Sequence, residues 1–271
     1  IRGMGFNRIL INDRGVKQEG QQWGADHGLE IDPFDVDRVE VIKGPASLVY
    51  GADGMAGVIN IRPGAFMPAG TISGHSISTY RSNNNMYSQS LMLEGNEDDV
   101  VFKARFTSQD YADYRVPASS FVYATAVRPI FDNRLKNTAG MERHFSVMGG
   151  VKKDWGNSTV TLSRFYQRAG IFPGAVGVPN AYNLRHNGDH RNIEFPLQNN
   201  THWKLISNTV VNLNKNWLEV DLGYQYNQRR EESLPHTHGI GPTPEGNLAL
   251  GLDLQTLTAN VRYNQVIDER N

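Results

Sequence analysis

His186 and His190 stand four residues apart in NLRHNGDHRN, with Asp189 between them. His236 and His238 stand two apart in LPHTHGIGPTPEG, and Asp26 and His27 are adjacent in QQWGADHGLEIDP, with Glu30 and Asp32 just beyond. Imidazole and carboxylate are donors that Zn²⁺ accepts, commonly as a tetrahedron with bonds of about 2.0–2.2 Å. Neutral imidazole binds Cu, Ni and Fe as well, so the donor set does not select zinc. The chain has no Cys, which removes thiolate ligands and disulfides. Asp26, His27, His186, His190, His236 and His238 are therefore the candidate metal ligands. Histidines are also ordinary in long polar loops. A metal hydrolase would need three protein ligands, an open position and a placed base. The His pairs alone do not supply these, so no catalytic residues and no enzyme are expected.

The elements that must position these residues are strands. The 271 residues carry a formal net charge of -1, which gives no electrostatic case for nucleic acid. Hydrophobic residues make up 39% of the chain and mean hydropathy is -0.49. No run of about 18 apolar residues marks a transmembrane helix, but a barrel wall needs only alternate residues to be apolar. Such alternation is plain after residue 70. Leu218, Val220, Leu222, Tyr224 and Tyr226 share one face of NWLEVDLGYQYNQ, with Glu219, Asp221, Gly223, Gln225 and Asn227 on the other. Val100, Phe102, Ala104 and Phe106 oppose Val101, Lys103, Arg105 and Thr107, and HFSVMGGVK and TLTANVRYN follow suit. The stretch TISGHSISTY is ambiguous. Short turns (EGNEDD, KDWGN, NKN) alternate with long segments at 110–140, 168–200 and 233–250. A half-exposed soluble sheet shares the alternation, but short turns at one end and long loops at the other are the habit of outer-membrane barrels. Trp155 and Trp217 fall at the short-turn end, where an aromatic girdle would lie. About eight strands are expected there, too few to enclose another domain if closed on themselves.

The first 64 residues differ in character. VDRVEVIKGPASLVYGADGMAGVINIRPG, residues 36–64, is a strand, a small-residue loop and a second strand. It has no nucleophile–base pair and no phosphate loop, so its role is architectural. Gly44, Gly51, Gly54 and Gly57 allow positive φ and close backbone approach, and Pro45 stiffens the turn. This stretch, with IRGMG and ILIND upstream, closely resembles the plug-domain signature of TonB-dependent outer-membrane receptors.

That resemblance implies a plug lodged in a barrel of about 22 strands. The expected fold is mainly β: a transmembrane antiparallel barrel, about 8 of its strands present, with a partial α+β plug. Residues 1–64 would be plug, 65–70 a linker, and 71–271 the first barrel strands with long outer loops. No charged-then-apolar leader follows Ile1, and both ends are expected to be internal cuts. The resemblance further implies the outer membrane and its lipid as surroundings. It also implies a TonB-type energy-coupling protein as partner, through a segment missing from this chain. Import would proceed by plug rearrangement. The loop holding Asp26 and His27 would sit at the outward tip of the plug, where cargo contacts cluster. A zinc-uptake branch carries a similar Asp-His run before IDP, so the favoured cargo is a metal ion or small metal complex, zinc first. No resident cofactor is expected; Zn or another transition metal would be cargo. The alternatives are a siderophore, haem or other organic ligand, or a surface receptor that signals without import. Trp23, Tyr111, Tyr114, Phe121, Tyr123, Phe172 and Tyr182 would stack on such a ligand or simply pack the loops. Arg115, Arg128 and Arg134 would attract an anionic chelate. His144 and His202 are expected to face the lumen.

Overall fold

The computed structural model of the chain describes residues 8–20, 29–51, 54–175, 182–186, 188–235 and 245–267. Its first part is a small mixed sheet of β1 (Ile9–Asp13), β2 (Val16–Lys17), β3 (Arg38–Ile42) and β4 (Gly57–Arg62), in the order β2-β1-β4-β3. β1 and β2 form a tight hairpin through Arg14 and Gly15, both at positive φ, the backbone a two-residue turn demands. β1 and β4 are parallel, so the chain between them must cross over. Leu10, Ile11, Val16, Ala56, Val58 and Ile61 form the buried core of this unit. Its helical part includes two 3-10 turns, Pro33–Asp35 and Pro45–Tyr50. The first is capped by Asp32, whose Oδ1 accepts from the Phe34 amide at 3.0 Å.

The glycines around the second turn divide between the two roles expected of them, positive φ and close approach. Gly44 and Gly51 have φ of 80° and 114°, with open space where a Cβ would sit. They are required by backbone conformation, not by crowding. Gly54 is the crowded one: a Cβ there would lie 3.2 Å from Val58 Cγ2.

The second part is an eight-stranded antiparallel sheet. Its strands are β5 (Thr71–Arg81), β6 (Met86–Glu97), β7 (Val100–Tyr111), β10 (Gly140–Lys153), β11 (Gly156–Gly170), β12 (Leu197–Leu213), β13 (Asn216–Glu232) and β14 (Leu248–Asn264). The ambiguous TISGHSISTY is β5. Two further strands, β8 (Ser120–Tyr123) and β9 (Ala126–Pro129), make a separate hairpin inside the β7–β10 connection. The wall strands reach further than their apolar alternation: β12 starts at Leu197 and β11 ends at Gly170, so the loop between them is shorter than 168–200. Polar residues at those ends continue the ladder, Asn199 against Arg230 for example. Within the described residues the outer strands β5 and β14 do not pair with each other.

The sheet is apolar outside and polar inside. Leu222 and Tyr224 are exposed on β13, while Asp221, Gly223, Gln225, Asn227 and Arg229 are buried. On β7, Val100 and Phe106 are exposed, and Val101, Arg105 and Thr107 are buried. On β14, Leu257 is 83% and Val261 67% exposed. A soluble sheet buries its apolar row; this one turns that row outward, as a wall against lipid does. The polar rows face the small mixed sheet. Together they form a membrane β-barrel wall with its plug.

Candidate functional site

One end of the wall carries the connections 112–139, 171–196 and 233–247, together with the β5–β6 turn at 82–85. The other end carries two-residue turns, among them Asp98–Asp99, both at positive φ. Trp155 and Trp217 sit at the short-turn end, each partly exposed.

At the long-loop end His186 and His190 come together with Asp113, just past the end of β7. The two Nδ1 atoms are 3.1 Å apart, and Asp113 Oδ2 lies 3.4 Å from His186 Nδ1. The side chains of His186 and Asp113 are each only 2% exposed. Asp113 Oδ1 accepts from the amides of Thr138 and Ala139 at 2.7 and 2.9 Å, and the Asp113 amide donates to the His190 carbonyl at 2.8 Å. Burial pushes the Asp113 carboxyl up, against those amides and His186. Burial likewise pushes His186 down, against the pull of Asp113. Both shifts disfavour a plain ion pair. Asp113 was not among the sequence candidates. It lies far from the histidines along the chain, and one Asp after a strand carries no ligand signal. Asp26, His27, His236 and His238 lie outside the described residues.

Beside this cluster is a cavity of about 760 Å³ between plug and wall. The plug contributes Leu29, Ile31, Pro33 and Val36, and the wall contributes Gln109, Tyr111, Glu142 and Phe165; Arg81, Asn84 and Tyr114 border it. Glu142 is its polar floor: it accepts from Gln109 at 2.8 Å and Gln167 at 2.9 Å, and lies 3.0 Å from His144 Nε2. His144 stacks on Phe165 with ring centroids 4.5 Å apart. Of the other loop aromatics, Phe121 packs edge-on against Phe172 at 5.2 Å. Arg134 is buried and donates to the Asp113 carbonyl at 2.8 Å, so its charge serves the loop.

Deeper in, a polar seam joins plug to wall. Lys204 of β12 binds Asp13 and also Gln18, the latter at 3.2 Å. Burial works to raise the Asp13 pKa, but Lys204 and Arg14 outweigh it and hold the carboxyl below its usual range. His202, wholly buried, meets Glu30 Oε2 at 2.9 Å, and Asn227 donates to the same oxygen. Lys103 donates to Asp37 at 2.8 Å, and Thr107 donates to Asp32 at 2.6 Å. The β1–β2 hairpin is held by its carbonyls: Asn208 donates to Arg14 O, Gln225 to Lys17 O and Asn260 to Gly15 O, at 2.7–2.8 Å.

A plug seated by polar contacts on the inner face of a lipid-facing wall defines the class, a plugged barrel of the outer membrane. Residues 1–58 match the TonB-dependent Receptor Plug Domain. Over 68 residues the chain is 43% identical to the iron-regulated outer membrane virulence protein of Vibrio cholerae serotype O1, covering 22% of this chain and 10% of that protein. It is 28% identical over 119 residues to the hemin receptor of Yersinia pestis, covering 42% of this chain and 18% of that one. It is 30% identical over 118 residues to the vitamin B12 transporter BtuB of Vibrio vulnificus, covering 43% and 19%. The matched stretches thus span under a fifth of these relatives. The FrpB iron transporter from Neisseria meningitidis shares the fold, with a TM-score of 0.69 at 16% identity, over 99% of this chain and 40% of FrpB.

Proposed function

We propose that this chain supplies the plug and part of the wall of an energy-coupled outer-membrane receptor, and that its cargo is a metal held in an organic chelate or macrocycle. The cavity of about 760 Å³ at the long-loop end carries this reading. It has the size of a small-molecule site, about 300–1,000 Å³, whereas a bare ion needs only a few donors at about 2 Å. An apolar plug strip, the aromatic rings of Tyr111, Tyr114 and Phe165, and a few polar groups suit a flat or bulky organic ligand. The relatives named for hemin and vitamin B12 support that class. A TonB-type protein is the proposed coupling partner. Further strands must close the wall, because unpaired strand edges are not tolerated in lipid. The seam suits a plug that has to move, since polar contacts can be exchanged for water while an apolar core cannot.

Zinc remains the second reading. Its support is that the Asp26–His27 segment leads into Glu30, whose carboxylate meets the His202 imidazole of the wall at 2.9 Å.

The test is calorimetry on the full-length receptor in detergent with hemin, cobalamin and zinc chloride as separate ligands. Hemin or cobalamin should bind, and Tyr114→Ala should weaken that binding about tenfold through lost ring contact. Zinc binding alone, lost in Asp26→Ala/His27→Ala, would replace the chelate reading with the second one.

A further inference from the structure

We propose that Asp113, His186 and His190 form a structural site for a divalent cation of the zinc type, which clips two outer loops together and is not a cargo site. A tetrahedral ion with bonds of about 2.0–2.1 Å sets its ligands about 3.3 Å apart. The observed separations, 3.1 Å between the Nδ1 atoms and 3.4 Å from His186 Nδ1 to Asp113 Oδ2, fall on either side of that edge. Three electron-pair donors converge where the His186 and Asp113 side chains are almost fully buried and His190 is half-buried. A proton on His186 Nδ1 can be directed to His190 or to Asp113, so it serves one of those partners well at a time. One cation satisfies all three, with water in the fourth position.

The surroundings argue for a clip. Asp113 is wired into the β7–β10 connection through the Thr138 and Ala139 amides. His190 is tied to Asp113 by a backbone hydrogen bond of 2.8 Å. Arg191 donates to the Asn85 carbonyl of the β5–β6 turn at 2.6 Å, and Lys136 donates to the Asn183 carbonyl at 3.0 Å. An ion here would link loops that the chain connects only through the wall, and would leave only when those loops part. Such sites hold structure because binding energy becomes ordering energy. The inference rests on the loop geometry and is independent of which cargo the cavity takes.

The test uses the full-length receptor, stripped with a chelator and titrated with zinc chloride alone. One tight equivalent is expected, at least tenfold weaker in His190→Gln and in His186→Gln. Folding of both variants is checked by the heat-dependent mobility of the barrel on gels. Zinc should slow tryptic cleavage at Arg185 and Arg191 in the parent and not in His190→Gln. Hemin affinity and zinc accumulation by energised cells should be unchanged in His190→Gln. Absence of zinc binding in the parent, or unchanged affinity in both folded variants, overturns the site. Loss of cellular zinc accumulation in His190→Gln overturns the clip in favour of a cargo role. Failure of both hemin and cobalamin to bind the parent tells against the cavity and leaves the clip standing.

Discussion

Lys204 and Asp13 show how single residues hold the plug. Both side chains are almost fully buried, so removing one partner leaves an unpaired charge, a loss of about 3–5 kcal/mol. Lys204→Met should therefore loosen the β1–β2 hairpin, raising hydrogen exchange of the Ile9–Asp13 amides while barrel exchange stays put. The double change Asp13→Asn/Lys204→Met should recover much of the protection. The same pair fixes a pH dependence. The seated Asp13 carboxyl holds its proton less tightly than the ordinary value of 3.8. Its contribution is thus complete above that value and fades as pH falls through the lower folded value. Plug amide protection should follow that course, and the Lys204→Met variant should lack it. None of this pairing was legible in the sequence. Asp13 and Lys204 are 191 residues apart in the chain, and a Lys on a polar row looks like any lumen residue until a plug faces it. Asp113 escaped for the same reason: its partners arrive from another loop.

At the scale of elements, β13 shows what patterning can and cannot say. The alternation from Leu218 to Tyr226 fixes a strand and its two faces. It does not say which face looks inward, since a soluble sheet and a lipid-facing wall share the pattern. The alternation of short and long connections supplied the direction. The strand ends ran past the apolar pattern because hydrogen-bonded ladders continue through polar residues, as β12 and β13 do up to Leu197 and Glu232. Gly223 is a further case. In the sequence it is merely a small residue on the polar row. In the fold, a Cβ there would lie 2.7 Å from Val16 Cγ1 of the plug hairpin. Gly223→Val should displace that hairpin without disturbing the β12–β13 ladder, seen as faster proteolysis after Lys17 with unchanged barrel mobility on gels.

Over the whole molecule, a mixed sheet with an ordinary apolar core sits against the polar side of a sheet whose apolar side faces out. This inversion separates a plugged membrane wall from two packed soluble domains, and the proposed import depends on it. The GPAS…YG…GVINI run made the plug recognisable because its glycines answer to backbone geometry, which a sequence records directly. The cavity was not recognisable, since Leu29, Tyr114 and Glu142 meet only when plug and wall are assembled. Site-directed spin labelling of the full-length receptor in a lipid bilayer, with any cysteine outside this cysteine-free chain replaced, tests the inversion most directly. Labels at Leu222→Cys, Tyr224→Cys and Leu257→Cys should be reached by oxygen dissolved in the acyl chains and not by a water-soluble nickel relaxant. A label at Gln225→Cys should be reached by neither. Shielding of the first three positions from oxygen, as in a dry protein interior, would contradict the account.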